Sequence, residues 1–226
     1  MKIIYIDLDN TLVINPIGIY VFPTIYREVS KELGIPIELI RSKVISKHVE
    51  FVAKGDIKSY DWDYIVNIVL KELGYRKSVD IYSMHVENCH RVTILDNAID
   101  ILRDLRKNGY TIVLSTNGLW KYQECVVRYS GLEEVLDDVL TPDRVGYLKS
   151  SREFFRYGIS NAISIGDNLV FDIYYPKLFG LKTVLVDRGY RAEAYARALG
   201  IDLNSIIPDA IVKNLQCLPT VLEELK

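Results

Sequence analysis

The chain has 226 residues, 49% hydrophobic and 26% charged, with a net charge of −2. That is enough material for a folded core, in one domain with an insert or in two domains. The near-neutral balance offers no basic surface for nucleic acid or acidic membrane, and no stretch approaches the ~18 apolar residues that span a bilayer. Asp7 and Asp9 interrupt the first apolar stretch too early for a signal peptide. Cys89, Cys125 and Cys217 are far apart, odd in number and without a C-x-x-C pair, which points to unpaired thiols in a reducing cytoplasm. Sparse Gln and Met beside abundant Ile, Lys, Glu and Tyr resemble thermophile usage.

The first predicted element is a strand over residues 3–6 (IIYI), running straight into Asp7. Residues 15–92 follow with helical patterns near 19–33, 36–53, 60–74 and 79–90 and no convincing strand, punctuated by Gly34-Ile35-Pro36 and Gly55. They read as an inserted helical domain. A helix over 97–108 places Ala98, Ile101, Leu102 and Leu105 on one face and ends at Asn108-Gly109. Strands follow at 111–114, 162–165 and 183–186, with helices at 119–130, 150–157 and 214–225. Ser150 and Glu153 suggest a capping box for the second of these helices. The strands are rich in Ile and Val and do not alternate in polarity, so both faces are expected to be covered, as in a parallel sheet. The expected architecture is α/β: a Rossmann-like core of residues 1–14 and 93–226, with an all-helical cap of residues 15–92.

Three strands end in polar groups: Asp7 after the first, Ser115-Thr116-Asn117-Gly118 after the second, and Gly166-Asp167 after the third. In an open parallel sheet these carboxyl ends face the ligand. "DLDNT" at 7–11, "TNG" at 116–118, Lys149 and "GDNLVFD" at 166–172 stand in that order. Together they resemble the four motifs of the haloacid dehalogenase superfamily. The insert lies where that family carries its type-1 cap, and "LVDRG" at 185–189 and "PDAIVKNL" at 208–215 resemble its last strands. Taken singly each motif has a plainer reading: Asp7 and Asp9 as turn residues, Thr116-Asn117-Gly118 as a turn, Lys149 as a solvated lysine, and Asp172 as a helix-start acid.

The resemblance implies Asp7 as a nucleophile that forms an aspartyl phosphate. It implies Mg²⁺ held by Asp7, the Asp9 backbone carbonyl and Asp167, with Asp172 contributing directly or through water. A cation and a phosphate would then explain why acidic side chains crowd together. Asp9, two positions on, is implied as general acid and base. Thr116 and the Asn117 backbone would bind phosphoryl oxygens, Lys149 would oppose transition-state charge, and Thr11 would position the loop. The expected activity is Mg²⁺-dependent hydrolysis of a small phosphomonoester. A phosphomutase is the alternative, followed by a haloacid dehalogenase, against which Asp9 speaks, and by a non-catalytic binding protein.

Three positions depart from the family pattern: Ser150 where proline is common, Asn168 where serine is common, and Phe171 where asparagine is common. His48, His85 and His90 read as surface or cap-core residues, since His85 and His90 lack the i, i+4 spacing of a helical metal pair. Arg41, Lys43, Lys47 and Trp62 are the insert residues considered for substrate contact, and the oligomeric state is left open.

Overall fold

The computed structural model describes residues 2–225. A central parallel sheet and the helices around it account for most of the chain outside the insert. In chain order the elements are β1 (Lys2–Ile6), β2 (Val13–Ile14), α1 (Phe22–Leu33), α2 (Ile37–Ala53), α3 (Trp62–Glu72), α4 (Ile81–Asn88), β3 (Thr93–Ile94), α5 (Ala98–Lys107), β4 (Tyr110–Ser115), α6 (Trp120–Ser130), β5 (Asp138–Leu140), α7 (Pro142–Val145), β6 (Ala162–Gly166), α8 (Tyr175–Phe179), β7 (Lys182–Val186), α9 (Glu193–Leu199), β8 (Ala210–Val212) and α10 (Leu218–Glu224). Short π-helical turns occupy Ile17–Val21 and Leu169–Tyr174.

The sheet order is β5-β4-β1-β6-β7-β8, and every pairing is parallel. The chain leaves β1 to one side for β4 and β5, then returns to the other for β6, β7 and β8. The strand order therefore reverses at β1, which places the ligand crevice at the carboxyl ends of β1, β4 and β6. Successive residues of β1 serve opposite faces. Ile4 and Ile6 join the cluster that holds Leu102, Leu105 and Val126, while Ile3 and Tyr5 join Val113, Phe154 and Phe155. Both faces are buried, which is why these strands read as continuous apolar runs.

The helices of the insert form their own cluster, with Ile25, Val29, Ile40, Ile65 and Leu70 at its centre. That cluster continues into Leu119, Tyr122, Val170 and Phe171 of the sheet edge. Asp61 caps α3 through the Tyr64 N–H, and Asp80 caps α4 through the Ser83 N–H. The two chain crossings into and out of the insert are β2 and β3, which pair with each other antiparallel. His48 and His85 are buried in this region, while His90 is exposed.

Two expectations are corrected. Residues 150–157 do not form a helix but a single 3₁₀ turn, Arg152–Phe154, whose N-cap Ser151 makes no side-chain cap. The Tyr5 hydroxyl accepts from the Tyr157 N–H at 3.1 Å and donates to the Gly158 carbonyl at 3.0 Å. Those backbone groups thus bond the sheet instead of a helical turn. The thiols are also not all unpaired. Cys89 and Cys125 form a disulfide, with Cα atoms 5.8 Å apart, and only Cys217 is free. The segment leaving the insert packs on α6, so residues 36 apart in sequence meet. No described helix is long and apolar enough to cross a membrane.

Candidate active site

The loop after β1 is built to turn back immediately. The Leu8 carbonyl accepts from the N–H groups of Thr11, Leu12 and Val13, and Asn10 takes a left-handed conformation (φ 59°), which asparagine tolerates well. The Asp7 N–H donates to the Ile165 carbonyl at 2.9 Å, tying the loop to β6. The Thr11 hydroxyl donates to Asp7 Oδ2 at 3.2 Å and accepts the Asp167 N–H at 3.1 Å. One threonine therefore sets the spacing between two of the acids.

Carboxylate oxygens of Asp7, Asp167 and Asp172 lie within 4.8 Å of one another, all three residues buried. Lys149, 2% exposed, reaches in from the opposite side. Its Nζ lies 2.8 Å from Asp7 Oδ1 and 2.7 Å from Asp172 Oδ1. Burial alone would pull the lysine pKa down, but Asp172 and Asp7 outweigh it and hold the ammonium above the usual lysine range. Asp167 is pushed well above the carboxylate range by burial, then by Asp7 and Asp172. Asp172 is raised by burial and by Asp7, against the pull of Lys149. The cluster is thus a set of hard oxygen donors whose mutual repulsion one ammonium does not offset. Those donors suit Mg²⁺, a hard cation that takes oxygen ligands.

Asp172 reaches this position because Gly166 has no side chain. A Cβ on Gly166 would sit 2.1 Å from Asp172 Oδ2 and 2.8 Å from its Cβ. The Asn168 N–H donates to Asp172 Oδ2, and the Asn168 side chain caps the π-helical turn through the Val170 and Phe171 N–H groups. Asn168 thus caps this turn at the position where serine is common in the family. Phe171 is buried against Tyr195, with ring centroids 5.1 Å apart, so it serves packing and not hydrogen bonding.

The Asp9 carboxylate stands apart from the three clustered acids. Asn15 Nδ2 and Gln123 Nε2 each donate to it at 2.8 Å. Its pKa is raised to about 6, by burial first and by the Asp7 charge second. Asn15 lies between β2 and α1, and Gln123 on α6, so the insert's entrance and the sheet's flank hold this acid together. The Gln123 amide fits only because position 118 is glycine, where a Cβ would lie 2.0 Å from Nε2. The Gly118 N–H donates to the Thr116 hydroxyl at 3.0 Å. The Asn117 side chain accepts the Lys149 N–H at 2.9 Å and donates to the Tyr60 hydroxyl at 3.1 Å.

All the expected site residues, Asp7, Asp9, Thr116, Asn117, Lys149, Asp167 and Asp172, line one cavity of about 350 Å³. Asn15, Tyr60, Gln123, Tyr190 and Tyr195 line it as well and carried no sequence signal, and Phe171, noted only as a departure from the family pattern, joins them. Of the insert residues considered for substrate contact, Trp62 lines the cavity. Arg41 and Lys43 are exposed, and Lys47 pairs with Glu50 and Glu72.

Comparison with known proteins bears on the family and the fold. The model for "haloacid dehalogenase-like hydrolase" matches residues 1–173. YfnB of Bacillus subtilis (strain 168) is 28% identical over 137 residues, covering 54% of this chain and 57% of YfnB. Ribulose-1,5-bisphosphate 5-phosphatase of Halopiger xanaduensis is 28% identical over 110 residues, 46% of each chain. The match thus spans about half the length of these curated relatives. Among solved structures, a HAD phosphatase from Thermococcus onnurineus superposes with a TM-score of 0.73 at 24% identity, covering 98% of both chains. A magnesium-bound form of YfnB gives 0.70 at 20% identity over 98% of both chains. L-2-haloacid dehalogenase from Xanthobacter autotrophicus gives 0.68 at 19% identity over all of both chains. At these identities the superpositions speak for the fold alone. A family match over residues 1–173, on a Rossmann-like sheet with a helical insert after its first strand, makes this chain a member of the haloacid dehalogenase-like hydrolases.

Proposed function

We propose that this protein is a Mg²⁺-dependent phosphatase that hydrolyses a small phosphomonoester through an aspartyl phosphate on Asp7. The observation that carries the proposal is the buried meeting of Asp7, Asp167 and Asp172 with Lys149, beside a separate carboxyl, Asp9, whose pKa burial and the Asp7 charge raise to about 6. In the proposal Asp7 Oδ attacks phosphorus as the bond from phosphorus to the leaving oxygen breaks. Asp9 gives its proton to that oxygen, and the alcohol departs. Asp9 then takes a proton from water, the water oxygen attacks phosphorus, and Asp7 leaves with inorganic phosphate as product.

Asp7, Asp167, Asp172 and the Asp9 carbonyl would hold Mg²⁺, which would supply positive charge between the phosphoryl group and its anionic nucleophile. Lys149 shields Asp7 and opposes charge on the transferring group. The Thr116 hydroxyl and the Asn117 backbone bind phosphoryl oxygens. Residues 15–92 act as a cap over a core of residues 1–14 and 93–226, excluding water while Asp7 attacks. We also place the protein in the cytoplasm. The Cys89–Cys125 bond is compatible with that, given a thermophile-like composition, because intracellular disulfides are common in hyperthermophiles.

Release of inorganic phosphate from a generic aryl phosphate is the test. Activity with Mg²⁺, lost with a chelator and lost in Asp7→Asn, is the expected result. No release from the native protein with any divalent metal would overturn the proposal.

A further inference from the structure

Away from the acids the cavity changes character. Phe22, Tyr60, Trp62, Phe171, Tyr190 and Tyr195 line it, and most belong to one unbroken aromatic wall joined through His48. Ring centroids lie 5.1 Å apart for Phe22 and Trp62, 4.8 Å for Trp62 and His48, and 4.9 Å for His48 and Tyr60. They lie 5.6 Å apart for His48 and Tyr195, and 5.1 Å for Tyr195 and Phe171. These are edge-on and tilted contacts that hold each ring in place.

The imidazole of His48 and the hydroxyls of Tyr60 and Tyr195 already have partners. His48 Nδ1 lies 2.6 Å from the Ser59 carbonyl, so it is the protonated nitrogen, and Nε2 accepts from the Tyr195 hydroxyl at 2.8 Å. The Tyr60 hydroxyl accepts from Asn117. Burial lowers the His48 pKa to about 4, so the ring adds no charge. What these residues offer a ligand is ring surface.

Cations near the cavity are equally committed. Among its described lining residues Lys149 is the only Lys or Arg, and its ammonium is bound by Asp7 and Asp172. Arg188 lines the adjoining hollow, with Nε on the Asn10 carbonyl, Nη1 on the Lys213 carbonyl and Nη2 on Asp96. Lys121, behind Tyr122, pairs with Asp61 and Asp63. A second anionic group on the ligand would therefore enter a cavity with four acids and no uncommitted lysine or arginine among its described lining residues. Desolvating an unpaired charge there is costly.

We infer that the cavity selects phosphomonoesters whose leaving group is an uncharged ring-bearing alcohol, and that it rejects leaving groups carrying a carboxylate or a second phosphate. The inference deepens the phosphatase proposal and rests on it for the orientation of the ligand, phosphoryl group toward Asp7 and ring toward Trp62. The size is consistent. A benzene ring occupies an apolar cavity of about 150 Å³, so about 350 Å³ has room for one ring and a phosphoryl group.

Binding and turnover separate the two readings. Calorimetry in Mg²⁺ with benzylphosphonate, methylphosphonate and 4-carboxybenzylphosphonate tests selectivity without any chemistry. The expected result is that benzylphosphonate binds at least tenfold more tightly than either of the others. Trp62→Ala should erase most of the advantage of benzyl over methyl. Equal or tighter binding of the carboxylated compound overturns the inference. So does a benzyl compound that binds no better than methyl, whether or not Trp62→Ala folds. Hydrolysis is then measured on benzyl phosphate, 4-carboxybenzyl phosphate and phosphoserine, all esters of alcohols and not phenols. Benzyl phosphate should lead in kcat/KM by at least tenfold, and comparable rates for the carboxylated esters would overturn the inference. Ring-selective binding without hydrolysis of any ester upholds the selectivity and counts against the phosphatase proposal.

Discussion

Replacing Lys149 with Met removes the sole cation from a buried cluster of acids, and the size of the effect follows from the geometry. Lys149 Nζ lies 2.8 Å from Asp7 and 2.7 Å from Asp172. At an effective dielectric of about 20, each contact is worth about 6 kcal/mol before desolvation is subtracted. Breaking such a buried pair from one side typically costs about 3–5 kcal/mol. Proton uptake limits the loss, because a carboxyl left without its partner can protonate in the folded state. With an unfolded pKa of about 3.9, that escape costs at most about 1.4 × (7.5 − 3.9), or roughly 5 kcal/mol, at pH 7.5, and only about 1.5 kcal/mol at pH 5.0. The sign is fixed by the direction of the shift. Asp172 and Asp167 already have folded pKa values above their unfolded ones, and removing Lys149 raises Asp172 further. Their contribution is therefore intact below the unfolded pKa and is lost as pH rises through the folded pKa. In chelator, Lys149→Met should be less stable than the native protein by about 4 kcal/mol at pH 7.5 and by about 1–1.5 kcal/mol at pH 5.0. Urea unfolding at the two pH values measures the difference. A deficit below about 1 kcal/mol at pH 7.5, or one that does not change with pH, would refute the reasoning.

Gly166→Ala should push Asp172 out of the cluster, since the added Cβ would lie 2.1 Å from its Oδ2. Calorimetric Mg²⁺ affinity is expected to fall at least tenfold, with about 1–3 kcal/mol lost from stability; unchanged affinity would show that Asp172 plays no part in holding the metal. His48 stays neutral when folded, with its pKa lowered from 6.5 to about 4 by burial, so its contribution is full above pH 6.5 and is lost as pH falls toward 4. The loss amounts to about 3 kcal/mol, and unfolding free energies of native protein and His48→Gln should converge by that amount over this window, with parallel curves as the contrary result. Thiol titration of the unfolded, unreduced protein should find one thiol, Cys217, and reduction should expose three. For a loop of 36 residues, reduction should lower stability by about 4 kcal/mol. Three thiols before reduction would remove the disulfide from the account.

The parts of the site that depend on strand ends were legible in the sequence. Residues 3–6, 111–114 and 162–165 are apolar on both faces, so they could be placed in the middle of a sheet, and the residues after them had to share its carboxyl edge. Where function depends on side chains meeting across the fold, the chain gave no local sign. Gln123 is an ordinary helix residue until Gly118 makes room for its amide and Asp9 accepts it. Asn15 is a polar residue before a proline until α6 comes alongside. Strands β2, β3 and β5 are two or three residues long, too short to show a period. The missing helix at 150–157 and the paired cysteines have the same origin. Tyr5 in one case and the packing of the insert's exit on α6 in the other are contacts between residues 152 and 36 apart.

The two hydrogen bonds to Asp9 join the proton chemistry to the position of the insert. Asn15 begins the passage into the helical segment, Gln123 belongs to α6 on the sheet, and the two amides also touch each other at 3.2 Å. Burial is the largest cause of the raised Asp9 pKa, and the Asp7 charge is the second. An opening that draws Asn15 away from α6 removes one hydrogen bond that lowers the Asp9 pKa, but it also admits water and so relieves burial, the largest cause of the raised value; the net effect is a lower pKa and a weaker hold on the proton. In the proposed mechanism, closure over a substrate would then restore the acid at the moment a leaving oxygen needs one, so that excluding water and loading the proton would be one event. This coupling is visible in the pH profiles of a working enzyme. In the proposed mechanism the form of Asp9 that donates is protonated, so activity should fall as pH rises through its pKa. That basic limb belongs to the closed complex in kcat and to the free enzyme in kcat/KM. It should lie at higher pH in kcat, and Asn15→Ala, which loosens the closed arrangement, should bring the two limbs together. Identical limbs in the native enzyme would separate Asp9 from cap position and leave the amides a purely structural role.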